Sequence, residues 1–258
     1  MAYLSAMVLG ATMTFTSCRN DNDAAGAVTN LAKVFTGGLP KTVAGMTIRT
    51  NEKGQVISMK NGKDIVTFQY KEAAARSMDP DVVMTIEGEE KFVFNLYLDK
   101  NGFVRHCEET EYYLGGKQED TWDFTYNGDG QLLTMLRSEG GNEKTTIKYQ
   151  DGNIVETATV SADEPEESSS YKVYYTSTNM PSLIENKGCI MFFDGTFGID
   201  MDEMEYAYYA GLLGKATKNL PVRLVDDEGR ITDFFWTLNS AGYPISFKVD
   251  NETYSFAW

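Results

Sequence analysis

The amino-acid sequence predicts an all-β fold, β-rich with one short helix, in which an antiparallel meander forms a partial barrel or a wide curved sheet. Three observations predict it. Glycine-bearing turns recur, and Gly88, Gly102, Gly116 and Gly130 are spaced fourteen residues apart. The segments between turns alternate apolar and polar residues with the period of two that marks a strand. One segment, Asp202–Ala216, switches to helical spacing.

In chain order, residues 1–17 (MAYLSAMVLGATMTFTS) carry no charged side chain. That run is short for a bilayer span, which takes about 20 residues, and it fits the apolar region of a secretory signal. Thr16-Ser17-Cys18 resembles a bacterial lipobox, in which small residues precede a cysteine that is acylated with diacylglycerol and becomes residue one after cleavage. The polar stretch Arg19–Asp23 suits a tether. No Lys or Arg opens the segment, so the expected translation start lies upstream of Met1. The expected organisation is a lipoprotein signal peptide over 1–17, a tether over 18–38 and a single antiparallel β-domain over 39–258. A weaker helical stretch falls at Ala24–Phe35.

Within the β-domain, turns such as Asn51-Glu52-Lys53-Gly54, Asp99-Lys100-Asn101-Gly102 and Asn127-Gly128-Asp129-Gly130 supply residues that accept positive φ. Between them, Phe92, Phe94, Leu96 and Leu98 share one face of a strand, as do Trp122, Phe124 and Tyr126. Thr232, Phe234, Trp236 and Leu238 follow, then Ile245, Phe247 and Val249, then Tyr254, Phe256 and Trp258. The strand Phe103–Tyr113 is polar on both faces in its middle, so it is expected to protrude from the core or to line a wet groove. That pattern argues against a membrane-spanning barrel, whose outer face must show a continuous apolar band. Asp163–Ser170 reads as a solvated loop. In Asp202–Ala216, Met204, Tyr208 and Leu212 make an apolar stripe, Gly214 can end the helix, and Pro221 blocks its resumption. This helix is expected to sit on the concave face of the sheet.

Composition removes several function classes. The chain has 258 residues, 23 Lys+Arg against 38 Asp+Glu, and a formal charge of −15. Such acidity excludes a nucleic-acid partner, which needs a basic footprint. One His and three Cys leave no His/Cys zinc set, and no metal or other cofactor is expected. His106 and Cys107 are chain neighbours on a strand and point to opposite faces, which is poor geometry for a dyad. Carboxylate clusters such as Glu108/Glu109/Glu111, Glu119/Asp120 and Asp200/Asp202/Glu203 are frequent in so acidic a chain, and the acidic turns lack the ligand spacing of an EF-hand. Cys107 and Cys189 are expected as free buried thiols or as one bridge.

Four strings occur together with the lipobox: FTYNGDGQLLTM, IKYQDGNIVET, YAYYAGLLGKATKNLP and LNSAGYPISFKV. The combination resembles the Bacteroidetes lipoproteins of the domain-of-unknown-function family 4595, described as porin-like in fold. The resemblance covers Leu39 to Trp258 and is most specific from Tyr209 to Pro221. It implies a barrel-like or half-barrel body with one helix, and it implies no activity and no catalytic residues. The hairpin strings are also similar to the tyrosine-aspartate repeats of large secreted bacterial proteins.

The surplus of aromatic residues supplies the candidate ligand contacts. Trp122, Tyr112, Tyr175, Tyr208 and Trp236 are the rings expected to stack on a sugar or to anchor a protein partner. The expected protein is an outer-membrane lipoprotein held to the membrane only by its lipid on Cys18, facing the periplasm or the outside. Its expected role is non-enzymatic binding of a glycan, a small apolar ligand or an envelope protein. A carboxylate-based glycan hydrolase and a purely structural lipoprotein are the alternatives.

Overall fold

The computed structural model describes residues 31–71 and 78–258; Cys18 and the signal and most of the tether lie outside them. Sixteen strands form a closed antiparallel barrel. They are β1 (Thr42–Val43), β2 (Met46–Thr50), β3 (Val56–Asn61), β4 (Asp64–Tyr70), β5 (Val82–Glu87), β6 (Lys91–Leu98), β7 (Val104–Tyr113) and β8 (Gly116–Tyr126). The second half is β9 (Leu132–Arg137), β10 (Glu143–Gln150), β11 (Asn153–Ser161), β12 (Ser169–Tyr174), β13 (Arg223–Asp226), β14 (Ile231–Leu238), β15 (Pro244–Val249) and β16 (Glu252–Ala257). Four short helices accompany them: α1 (Leu31–Val34), α2 (Glu139–Asn142), α3 (Phe193–Phe197) and α4 (Glu205–Tyr209).

Each strand pairs with its chain neighbours, and β1 closes the ring by pairing Val43 with Met46 on one side and with Phe256 on the other. Closure corrects the expectation of a partial barrel or open curved sheet: it removes the two edges that an open sheet would have to protect. The fourteen-residue step is one strand and one turn. Gly88 and Gly116 therefore lie at one mouth of the barrel, and Gly102 and Gly130 at the other.

That second mouth is built by one repeated device. Asn51, Asp99, Asn127 and Asn239 each accept two backbone N–H bonds through Oδ1, from residues two and four positions on. Three residues after each stands a glycine with φ between 75° and 86°. Register shifts fall immediately before these turns, at Arg49/Thr50, Tyr97/Leu98, Thr125/Tyr126 and Thr237/Leu238. Bulges of this kind increase local twist and are common at barrel rims. We call this end the Asx-turn mouth. The opposite end, which carries the turns after β1, β3, β5, β7, β9, β11, β13 and β15, is the acidic mouth.

The barrel is not hollow. The connection from Tyr175 to Val222, between β12 and β13, runs through the interior and buries Phe193, Phe197, Met204, Tyr208, Tyr209, Leu212 and Leu213. Inward-facing strand residues complete this core, among them Met84, Phe94, Leu96, Trp122, Phe234 and Phe247. Plug and wall interlock: the Phe192 ring lies 5.3 Å from Phe247, and Trp236 lies 4.5 Å from the same ring. The outer face is mixed: it exposes Ile57, Ile65, Leu136, Val160, Ile231 and Phe235, while two strands alternate as a water-facing sheet does. Glu119, Thr121, Asp123 and Thr125 are exposed along β8, and Lys144, Thr146 and Lys148 along β10.

Two boundaries differ from expectation. The helix expected over Asp202–Ala216 is a 3-10 turn at Asp202–Met204 followed by α4, and it ends at Tyr209. Gly211 and Gly214 take φ of 78° and 84°, which turns the chain out of the helix. The freed segment bonds the wall instead: Leu212 O accepts from Val104 N, and Lys215 N donates to Gly130 O. Residues 31–38, expected within the tether, belong to the fold. Val34 and Phe35 are buried, and Phe35 stacks on Tyr209. The helical expectation for Ala24–Phe35 is met by α1 at its end; the rest lies outside the described residues.

Candidate functional site

At the acidic mouth the plug does not quite meet the wall. A cavity of about 260 Å³ opens there between the plug and strands β1–β3. The β1–β2 turn supplies Val43, Ala44 and Met46, and β3 supplies Asn61. The plug supplies Phe192, Asp202, Glu203, Glu205, Tyr206 and Tyr209. These are placed by short helical turns: the 3-10 turn and α4 put Glu203, Glu205 and Tyr206 on the rim, while Tyr208 and Tyr209 anchor α4 to the plug. Tyr208 Oη donates to Cys189 O at 2.6 Å, and Tyr209 Oη donates to Met191 O at 2.7 Å. Asn61 Nδ2 donates to Tyr206 Oη at 3.3 Å, joining wall to plug across the cavity.

The cavity carries unusual acids. Burial pushes the Glu205 carboxyl up to about 7, and the charge of Asp194 pushes the same way. Burial also raises Glu203 and Asp202, although the Arg137 guanidinium opposes the rise at both. Near neutral pH the site therefore holds a carboxyl that is part protonated, hydrogen-bonding amide and phenol groups, and an aromatic face from Phe192.

Behind the cavity lies a buried polar network. Trp122 Nε1 donates to Glu109 Oε2 at 2.6 Å, and the Arg137 guanidinium sits 4.7 Å from the Trp122 ring. Arg137 also pairs with Glu139 and Asp202, with Asp200 at 3.8 Å. Burial raises Glu109 to about 7 against the opposing pull of the Trp122 bond and the Arg137 charge. This corrects the reading of Phe103–Tyr113. Its middle lines no wet groove: Cys107 and Glu109 face the packed interior, and only the end of the β7–β8 hairpin is exposed on both faces. On the outside, His106 Nδ1 meets Asp123 Oδ1 at 2.8 Å, on the opposite face from Cys107.

The expected ligand aromatics do not assemble into this site. Trp122, Tyr175, Tyr208 and Trp236 are all buried. Tyr175 Oη donates to Ile154 O, and Trp236 Nε1 donates to Pro221 O. Their polar atoms are thus consumed in closing the core, and they are packing residues. Tyr112 is exposed, at the tip of the β7–β8 hairpin. Cys18 lies outside the described residues. Cys107 and Cys189 are free and buried. Among the described residues no group of three or more His, Cys, Asp or Glu is placed to hold a metal, and no helix is long and apolar enough to cross a membrane. The residues that sequence reasoning missed are Asn61, Phe192, Glu205 and Tyr206; the sequence marks Asp202 and Glu203 only as members of a carboxylate cluster. A signal for part of the set was present in DEMEYAYY, where acids interrupt an otherwise apolar run.

Comparison with known proteins agrees with the fold. Residues 45–246 match the model of a family described as a domain of unknown function (DUF4595) with porin-like fold. A crystal structure of a porin-like protein from Bacteroides uniformis is similar, with a TM-score of 0.57 at 19% identity, covering 82% of this chain and 87% of that one. A porin-like protein from Bacteroides vulgatus gives a TM-score of 0.55 at 14% identity, covering 82% and 91%. No curated protein shows significant similarity to the chain.

Proposed function

Because the chain belongs to this porin-like family of unknown function, whose shared property is a fold, we propose its role from the site: it is an envelope lipoprotein whose plugged barrel binds a short glycan at the acidic mouth without transforming it. The observation that carries the reading is the convergence of Asn61, Tyr206, Glu203 and Glu205 beside the Phe192 ring in one open cavity. Sugars are recognised by such mixtures of hydrogen-bonding groups and aromatic faces. A plug that filled the barrel completely would have favoured a structural role. The lipobox at Thr16-Ser17-Cys18 and the polar outer faces of β8 and β10, which break any continuous apolar band, support attachment through a lipid on Cys18, at the outer membrane, in place of insertion.

The test is a thermal-shift and calorimetric screen against envelope and dietary oligosaccharides. A binding glycan should lose about tenfold or more in affinity in Tyr206→Ala, which removes one polar contact and ring area. Loss of binding in Tyr112→Ala with Tyr206→Ala unaffected would move the site to the hairpin. A carboxylate-based hydrolase is the second reading, favoured by the raised Glu205 beside Glu203. Product formed from a bound glycan, abolished in Glu205→Gln while binding persists, would establish it in place of simple binding.

A further inference from the structure

Acidic side chains are densest at one mouth of the barrel, while the other mixes lysines with the exposed Glu52, Asp79, Asp129 and Asp151. The turns of the acidic mouth expose Glu89, Glu90, Asp163, Glu164, Asp227 and Glu228. At the Asx-turn mouth, by contrast, Lys33, Lys187, Lys215 and Lys218 line one cleft of about 470 Å³, with Glu185 as its acidic member. None of the four forms an ion pair with a described residue. Lys187 is held in place, donating to Ala241 O at 2.8 Å and lying 4.8 Å from the Tyr243 ring. Lys215 and Lys218 are exposed, on a backbone pinned to Gly130 O and Gly152 O. Four ammonium groups gathered without pairing partners, on a chain of net charge −15, repel one another and attract an anion.

We propose that the Asx-turn mouth is a membrane-docking surface, on which the lysine cleft receives the phosphate headgroup of an anionic phospholipid. Three features favour this occupant. Lysine ammoniums act on phosphate as mobile point charges, without the fixed fork of arginine. The more acidic mouth is repelled by the same surface, which disfavours the reverse orientation. The chain also enters β1 from this side, through α1 and Pro40. Cys18 precedes Leu31 by a stretch that reaches at most about 45 Å when extended. A lipid there holds the same mouth to the bilayer and leaves the glycan cavity facing away. The inference agrees with acylation but does not depend on it.

The chain from Arg19 onward contains all the described strands and core and lacks the acylated cysteine. In sedimentation with vesicles it should bind phosphatidylcholine–phosphatidylglycerol mixtures, bind phosphatidylcholine alone far more weakly, and dissociate as salt is raised. The double variant Lys215→Gln/Lys218→Gln should lose about thirtyfold in affinity with an unchanged melting temperature. Lys63→Gln/Lys91→Gln, at the acidic mouth, should retain it. Equal binding to both vesicle types, or an unaffected cleft variant, would overturn the proposal. So would saturation by inorganic phosphate of a protein that ignores vesicles, which would make the cleft a site for a soluble anion. Absence of lipid on Cys18 would overturn the anchoring reading and leave this result standing.

Discussion

Glu109 and Glu205 are the residues on which stability and pH meet. Both carboxyls lie near 7 in the folded protein, raised by burial from about 4.3 in an open chain. A raised carboxyl favours the fold in its protonated form. That contribution is complete below about pH 4 and is lost as pH rises through 7. The melting temperature should therefore fall between pH 5 and 8, and Glu109→Gln, which keeps an acceptor for Trp122 Nε1, should flatten part of the fall. An unchanged slope in both Glu109→Gln and Glu205→Gln would assign the pH dependence elsewhere. Arg137 is the counterweight, since among the described residues it is the cation that faces Glu109, Glu139, Asp200 and Asp202. Arg137→Met should cost about 3 kcal/mol in urea unfolding at pH 8, and less at pH 5, where the acids it faces are more protonated. These couplings were out of reach from sequence. Glu109 sits among polar neighbours in a strand, and its inward direction follows only from the bulge at Tyr97/Leu98 and the register with Trp122.

Elements divide by whether their neighbours are local. Strand β6 was legible because Phe94, Leu96 and Leu98 alternate with Val93, Asn95 and Tyr97, and burial follows that alternation. The turns were legible because Asx and Gly at fixed offsets have one good conformation. Gly54 takes φ 75° with open space around its absent Cβ. Gly54→Ala should therefore cost about 1 kcal/mol from backbone strain alone. Gly198, the left-handed cap of α3, has the Tyr171 ring 2.3 Å from where a Cβ would stand. Gly198→Ala should cost clearly more than Gly54→Ala in the same denaturation series; equal losses would mean that the ring moves freely aside. The helix expected to Ala216 shows the opposite case. Its stripe of Met204, Tyr208 and Leu212 is real as a buried set, but Gly211 breaks the helix to let Leu31 pack within 3.0 Å of its absent Cβ. That packing is tertiary and leaves no local mark.

At the scale of the molecule, an aromatic-rich meander was readable, while its closure and its filling were not. Closure rests on β1, two residues long, which no periodicity could announce. The plug from Tyr175 to Val222 shows no repeating pattern because each of its residues answers a different part of the wall. Its presence explains why the expected ligand aromatics became core: a filled barrel buries the inward face of every strand, leaving the binding surface to its mouths. In the proposed reading the outer wall stays out of the bilayer, and attachment to the membrane is assigned to Cys18 and the lysine mouth. The central claim, a barrel tethered to the membrane and not inserted in it, is tested most directly by fractionating cells that express the full-length protein and its Cys18→Ser variant, with membranes washed in high salt. The wild type should remain with the membranes and the variant should move to the soluble fraction. A variant that stays in salt-washed membranes, extractable only with detergent, would contradict the account.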